Sequence, residues 1–215
     1  MTYYHEHPQA FSQNYLNELQ RQILRCPYFA VNNLNRDFVD TKGFSVVFQR
    51  AHLSAVEQRF PYFKIYLDRA LQPDCNAFYL NPLLLKSGSR VDPHIDRSLR
   101  SYCKNIEPPS VVSVLYVQVP ADLVGGELVL RSPKGRSASL SHKRQVGQIR
   151  PQSNTLLFFQ GDLIHSINPI ASSSTRLSLV CEQYSLEDAQ LQEIPEFKLE
   201  SRAMNLETKA CKRRR

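Results

Sequence analysis

The chain has 215 residues, of which 42% are hydrophobic and 22% charged, with a formal net charge of +7. That length suits one domain with a substantial core, and the ordinary balance of apolar and charged residues excludes a disordered or fibrous chain. The longest apolar runs, residues 111–119 and 156–159, are too short to cross a bilayer as a helix, and the five scattered cysteines, without a Cys-x-x-Cys pair, exclude a disulfide framework or a zinc ribbon.

In chain order, the start Met1-Thr2-Tyr3-Tyr4 lacks the basic and apolar pattern of a secretory signal, so a cytoplasmic protein with no membrane partner is expected. Residues 9–26 gather Phe11, Tyr15, Leu16, Leu19, Ile23 and Leu24 on one side of an amphipathic helix. Residues 43–49 alternate and are rich in β-formers. Residues 55–70 carry Val56, Phe60, Phe63, Ile65 and Tyr66, but Pro61 interrupts any single helix. Residues 1–75 are therefore expected to be a helical and strand segment that braces the rest of the chain.

The character changes at Asn76. Short apolar runs at 77–80, 111–119, 127–131, 155–159, 163–167 and 175–184 are separated by turn-rich stretches, which predicts an all-β sandwich or barrel. Gly125-Gly126 stands between two of these runs, where a tight return needs positive φ, so a hairpin is expected there. The predicted architecture is mainly β with flanking helices, a double-stranded β-helix (jelly-roll) core over residues 76–185. Residues 186–215 form a polar C-terminal segment interrupted by Pro195. Arg202, Lys209, Lys212, Arg213, Arg214 and Arg215 hold most of the excess charge there, and they read as a solvated tail.

The segment richest in chemistry is Val91-Asp92-Pro93-His94-Ile95-Asp96. In an extended strand residues two apart share a face, so His94 and Asp96 are expected to converge. An imidazole and a carboxylate are two legs of a three-point metal site. His165, in Gly161-Asp162-Leu163-Ile164-His165, is the candidate third. Two histidines and one carboxylate leave coordination positions open and bring no thiolate, which favours iron over zinc. His5 and His7 flank Glu6 at a terminus expected to fray. His52 and His142 have no ligand at a persuasive spacing, and all four read as structural or exposed.

Four elements, namely His94-Ile95-Asp96, the turn Gly125-Gly126-Glu127-Leu128, the distal His165 and Arg176-Leu177-Ser178, give residues 76–184 a resemblance to the 2-oxoglutarate-dependent, iron(II) oxygenase superfamily. Within it the chain looks most like the prolyl 4-hydroxylase branch. The resemblance implies that His94, Asp96 and His165 bind Fe(II) and are catalytic. It implies that Arg176 pairs with the far carboxylate of 2-oxoglutarate, with Ser178 sharing it, and that Tyr79 and Tyr116 face the co-substrate. O2 is the second co-substrate, succinate and CO2 are released, and ascorbate is an allowed addition.

Arg176 comes eleven residues after His165, a longer gap than in that branch, with residues 171–174 as an inserted turn. A one-residue slip in register would turn Arg176 away from the site. The implied activity is oxidation, by hydroxylation, of an unidentified peptide or small-molecule substrate. The carboxylate of Asp96 is kept where halogenating relatives have a small residue. Two other readings remain. One is oxidative demethylation of nucleic acid, with Arg131, Lys134, Arg136, Lys143, Arg144 and Arg150 as a basic loop, although the strand after Arg176 lacks the asparagine and second arginine of demethylases. The other is a non-catalytic ligand-binding β sandwich.

Overall fold

Apolar residues at successive rather than alternate positions make a strand that needs cover on both faces. The core strands of this chain have that character, and its helices supply the second cover. The computed structural model describes residues 2–32, 37–133, 139 and 143–203. It begins with β1 (Tyr4–His7) and α1 (Gln13–Arg25), whose first turn is capped by Ser12 accepting from the Tyr15 N–H at 3.3 Å. Next come β2 (Ala30–Asn32), β3 (Phe38–Gly43) and β4 (Ser45–Gln49). Then α2 (Leu53–Arg59) and α3 (Lys64–Ala70) flank a single turn, Pro61–Phe63, so that the proline opens a turn where it could not continue a helix.

The remaining strands are β5 (Ala77–His94), β6 (Val111–Gln118), β7 (Leu128–Arg131), β8 (Gln145–Ile149), β9 (Thr155–Gln160), β10 (Ile164–Ile167) and β11 (Arg176–Tyr184). The short helix α4 (Asp188–Leu191) and β12 (Phe197–Glu200) complete the described chain. Strands run in the order β1-β9-β6-β11-β5-β10-β7-β8, with β3 and β4 also paired to β5, β2 to β3 and β12 to β4. The result is a nearly closed double-stranded β-helix. β5 joins its halves: residues 77–85 pair with β11, and the far end, at Val91 and His94, pairs with β10.

The pleat then sorts side chains. Leu177, Leu179 and Cys181 of β11 pack beneath the helices with Leu19, Ile23 and Phe63. The intervening Arg176, Ser178, Val180 and Glu182 line a cavity between the sheets. β6 and β9 divide likewise, with Leu115, Val117, Leu156 and Phe158 toward the helices and Val114, Tyr116, Leu157 and Phe159 inward.

Several local expectations are corrected. Leu24 is 44% exposed and lies off the buried face of α1. β4 is buried at four successive positions instead of alternating, because Val46 and Phe48 face the helix layer while Val47 faces a second cluster. The N-terminal stretch does not fray: β1 pairs with β9, and His5 stacks on Phe158 at 5.0 Å between ring centroids. Gly125 and Gly126 take φ of 82° and 75°, as a tight return requires, yet β6 and β7 are not partners, so the turn is a crossover between sheets and no hairpin forms. Part of the basic loop is the strand β8, whereas Lys134, Arg136, His142 and the tail from residue 204 lie outside the described residues. Among the described residues, no helix is long and apolar enough to cross a membrane.

The crossover gives a controlled test. A Cβ at Gly125 would lie 2.0 Å from the Pro169 carbonyl oxygen, whereas at Gly88, which has a similar φ of 81°, it would meet nothing. Gly88→Ala should therefore cost only the left-handed backbone strain, about 1–2 kcal/mol. Gly125→Ala should cost clearly more, roughly 3 kcal/mol or above, and lower Tm by at least about 6 °C. Thermal unfolding of the two variants side by side checks this, and equal losses would contradict it.

Candidate active site

The site forms where β5 meets β10. His94 is the last residue of β5 and stands directly opposite His165 in the antiparallel register, with the two rings 4.3 Å apart between centroids. Asp96 lies past the end of the strand. Its convergence with His94 thus comes from the chain leaving the ladder, which corrects the expectation that the pleat alone would align them. Asp96 Oδ1 is 3.2 Å from His94 Nε2, and its Oδ2 is 3.3 Å from His165 Nε2. The three ligand-type atoms all lie within 4.8 Å of one another, and all three residues are buried.

Both rings are oriented from behind. His94 Nδ1 contacts the Asp92 carbonyl at 2.8 Å, and His165 Nδ1 contacts the Leu163 carbonyl at 3.3 Å. A carbonyl accepts only, so each Nδ1 carries the proton and each Nε2 is left for the centre. Phe38 and Phe159 stand edge-on and tilted against the two imidazoles at 5.5 and 5.1 Å. Burial alone would lower the pKa of His94, but the Asp96 carboxylate outweighs it and pushes the imidazole up to about 9. Burial likewise works to raise Asp96, yet the two histidines hold its carboxyl well below the usual range. Two imidazole nitrogens and a carboxylate gathered on one point suit a divalent cation, and this donor set leaves coordination positions open.

The cavity beside this centre holds about 370 Å³ and is also lined by Tyr79, Tyr116, Arg176 and Ser178. The long spacing after His165 is absorbed before β11 begins, so Arg176 opens that strand opposite Leu85 and faces the cavity. It is 1% exposed. Its Nη1 donates to the Gly126 carbonyl, and its guanidinium carbon sits 5.4 Å from the centroid of the Tyr116 ring. Burial lowers its pKa, although a guanidinium stays charged in a protein.

Among the described residues, six buried side-chain polar atoms lack a hydrogen-bond partner, and three of them, Arg176 Nε, Ser178 Oγ and Tyr116 OH, belong to this cavity. Ser178 and Tyr116 are direct neighbours across β11 and β6. An unsatisfied buried polar group costs about 1–3 kcal/mol, so a cluster of three fits a ligand rich in acceptor oxygens, such as a carboxylate. Desolvation raises the Tyr116 hydroxyl to about 12, which keeps it a donor. Tyr79 lines the same cavity, but its hydroxyl already accepts from Ser45 Oγ at 2.7 Å. Of the two tyrosines singled out from sequence, Tyr116 is the one whose hydroxyl has no hydrogen-bond partner.

Sequence reasoning missed Glu182. It is 3% exposed, lines the cavity, and accepts from the Ser98 N–H at 3.0 Å, from Ser98 Oγ and from the Tyr184 hydroxyl. Burial first, and the Asp96 charge second, push its carboxyl up to about 8. The signal was available: Glu182 keeps the two-residue alternation of Arg176 and Ser178. Among the described residues, the remaining histidines are not part of the site. His52 lies 3.3 Å from Glu196, and His5 is the residue stacked on Phe158. In the basic loop, Arg131 Nη1 donates to Ser166 Oγ at 3.1 Å.

Residues 79–181 match the profile of the 2OG-Fe(II) oxygenase superfamily. No curated protein matches the sequence. Among solved structures, a Pseudomonas putida prolyl-4-hydroxylase is similar at 14% identity and a TM-score of 0.53, over 87% of this chain and 95% of that one. A Trichoplax adhaerens prolyl hydroxylase, in complex with a peptide fragment of the hypoxia inducible factor oxygen degradation domain, is similar at 15% identity and a TM-score of 0.53, over 90% and 86%. HygX from Streptomyces hygroscopicus, with nickel and 2-oxoglutarate bound, is similar at 15% identity and a TM-score of 0.52, over 84% and 82%. At these identities the likeness is one of fold.

Since His94 holds a proton below about pH 9 and an ion needs its Nε2, metal uptake should release that proton. Affinity for Ni(II) or Mn(II) should rise by up to about tenfold per pH unit between roughly pH 6 and 8. Calorimetry in two buffers of different ionisation enthalpy measures the proton release directly. An affinity independent of pH over that interval would contradict the linkage of His94 to Asp96.

Proposed function

We propose that the chain is a 2OG-Fe(II) oxygenase, a reading supported by the match of residues 79–181 to that superfamily's profile, that His94, Asp96 and His165 hold the iron, that Arg176, Ser178 and Tyr116 hold 2-oxoglutarate, and that the enzyme hydroxylates a peptide or small-molecule substrate. One observation carries this reading: a buried His-Asp-His cluster and three unpartnered buried polar atoms share a single cavity. A sandwich that only bound ligands would have no need of the first. Prolyl hydroxylases among the solved structures support the substrate class, one of them holding a peptide.

Iron, 2-oxoglutarate and O2, when bound, would supply the oxidation, one oxygen atom of O2 going to the substrate as C–H becomes C–OH and the other to succinate as CO2 is released. The chain's own work is binding and orientation. His94, Asp96 and His165 offer one ligand atom each, and the Asp92 and Leu163 carbonyls fix both imidazoles. Arg176 presents a desolvated guanidinium with an open Nε, held in place by the Gly126 carbonyl and the face of Tyr116. That pose suits the far carboxylate of a dicarboxylic acid, and the hydroxyls of Ser178 and Tyr116 add two donors. Tyr79, held by Ser45, shapes the wall. Phe159, Val112 and Val114 keep the inner surface apolar and exclude water.

Succinate release in the presence of Fe(II) and 2-oxoglutarate tests the reading before a substrate is known. His94→Ala, Asp96→Ala and His165→Ala should each abolish it while circular dichroism stays near that of the parent, and full turnover in either histidine variant would sink the assignment. Arg176→Ala removes one partner of a desolvated ion pair, a loss of about 2–5 kcal/mol. The 2-oxoglutarate requirement should therefore rise by about thirtyfold to a few thousandfold, with metal affinity nearly unchanged. Arg176→Lys should recover part of the loss, because it keeps the charge and loses the planar fork. Unchanged 2-oxoglutarate affinity in Arg176→Ala would remove Arg176 from the co-substrate site.

A further inference from the structure

The same cavity contains a carboxylate for which neither the metal nor the co-substrate has a use. Glu182 lies six residues beyond Arg176 on the inward face of β11, about 20 Å along an extended strand. Its surroundings are built. Oε2 accepts from the Ser98 N–H at 3.0 Å and from the Tyr184 hydroxyl, and Oε1 accepts from Ser98 Oγ. A carboxylate offers about four acceptor positions, so three are filled and one remains, on Oε1.

What Glu182 lacks is a counter-charge. Among the described residues no ion pair reaches it, and it is almost wholly buried. Among the described residues two cations line the cavity: Arg176, at the other end of the strand, and Arg97, which is exposed and joined there to no carboxylate. The nearby acids add to the imbalance. Glu200 stands at the same cavity, with its Oε1 accepting from the Tyr102 hydroxyl and lying 3.9 Å from Lys198 Nζ. Asp96 acts on Glu182 electrostatically, and the rise of the Glu182 carboxyl to about 8 reflects burial and that charge. A buried carboxyl without a cation is costly unless a ligand brings one.

Position makes the ligand's role specific. Ser98, which donates twice to Glu182, is two residues after Asp96 and begins the turn Ser98–Ser101. A group bound at Glu182 is therefore held next to the segment that carries the candidate metal ligand. We propose that Glu182 recognises a cationic group, an ammonium or guanidinium, on the prime substrate, so that the enzyme selects molecules with a basic side chain or amine. This rests on the oxygenase reading for the meaning of "substrate", but the recognition itself is a binding event that can be measured alone.

The test uses the full chain loaded with Ni(II), a redox-inert stand-in for iron, and 2-oxoglutarate. The probes are L-arginine and L-lysine with their uncharged counterparts L-citrulline and L-norleucine, each as the free amino acid and inside a capped tripeptide, Ac-Gly-X-Gly-NH2. Calorimetry should show at least one cationic probe binding tenfold or more tighter than its neutral counterpart, and the free and peptide forms tell an amino-acid source from a peptide one. Glu182→Gln should erase that preference while leaving Ni(II) and 2-oxoglutarate affinities within about threefold, a result that a merely structural tie to Ser98 would not produce.

Glu182→Asp keeps the charge on a shorter arm and should keep part of the preference, which also covers the case in which the glutamine variant fails to fold. No binding of any cationic probe, equal binding of charged and neutral probes, or a preference that survives in Glu182→Gln would each overturn the proposal. Succinate release by the Fe(II)-loaded parent is scored separately. Its absence beside an intact cation preference would refute the oxygenase reading and leave the recognition standing.

Discussion

Much of this molecule depends on one antiparallel contact, the pairing of the end of β5 with β10 that sets His94 against His165. β5 is a partner of β11 through its first half and of β10 through its last residues, so this contact closes the two sheets around a common interior. It also brings together two of the three candidate metal ligands. Because side chains alternate across a strand, a slip of one residue would send His165 outward and apolar Ile164 inward. Closure of the fold and construction of the site are therefore one event. The neighbouring pair, β10 with β7, reinforces the register at four consecutive positions.

The same alternation explains how so polar a cavity is tolerated. Arg176, Ser178, Tyr116 and Glu182 would be a poor core by themselves, since buried polar groups are costly unless satisfied. Every second residue of their strands instead faces the helices, where Leu177, Leu179, Cys181, Leu115 and Val117 join a continuous apolar cluster with α1, α2 and α3. A buried network also fastens this layer. Gln183 donates to the Ala70 carbonyl at 2.9 Å and to Ser113 Oγ at 3.1 Å, and its own oxygen accepts from the Gln72 N–H at 2.8 Å. The helices stabilise the outer face of the sheet strongly enough that the inner face is free to carry chemistry.

What could be read in the sequence depends on how local each signal is. The β character of the runs after Asn76, the interruption at Pro61 and the positive φ at Gly125-Gly126 are set by neighbours in the chain, and they were legible. His94, Asp96 and His165 were legible as a metal-ligand set from the chemistry of two imidazoles and a carboxylate, whereas the role of Arg176 came only from the resemblance to a family. Other features depend on partners far away. β5 contains Pro82 and Gly88, two residues that locally argue for a break, yet it runs unbroken for 18 residues. Pro82 falls at the junction where the partner on one edge changes from β4, which ends its pairing at Leu80, to β3, which begins at Leu83, so the missing N–H coincides with a gap in the ladder. The edge strands β1, β8 and β12 are short and polar, paired to neighbours that sequence alone does not bring near. Glu182 escaped notice because a carboxylate on a strand ordinarily marks a solvated face.

Glu182 and Arg176 stand at opposite ends of one inward-facing row, and their chemistry differs in a way that matters. A guanidinium remains charged even when desolvated, so the Arg176 end of the cavity is permanently positive and permanently selective for an anion. Burial, and the Asp96 charge after it, raise the Glu182 carboxyl, so a negative charge at that end of the cavity is costly unless a cation stands beside it. A cationic ligand would supply that partner as it binds. On the proposed reading the two ends would hold their ligands by different means: a permanent guanidinium charge for the co-substrate, and a buried carboxylate whose charge is offset only by the cation that fills the site.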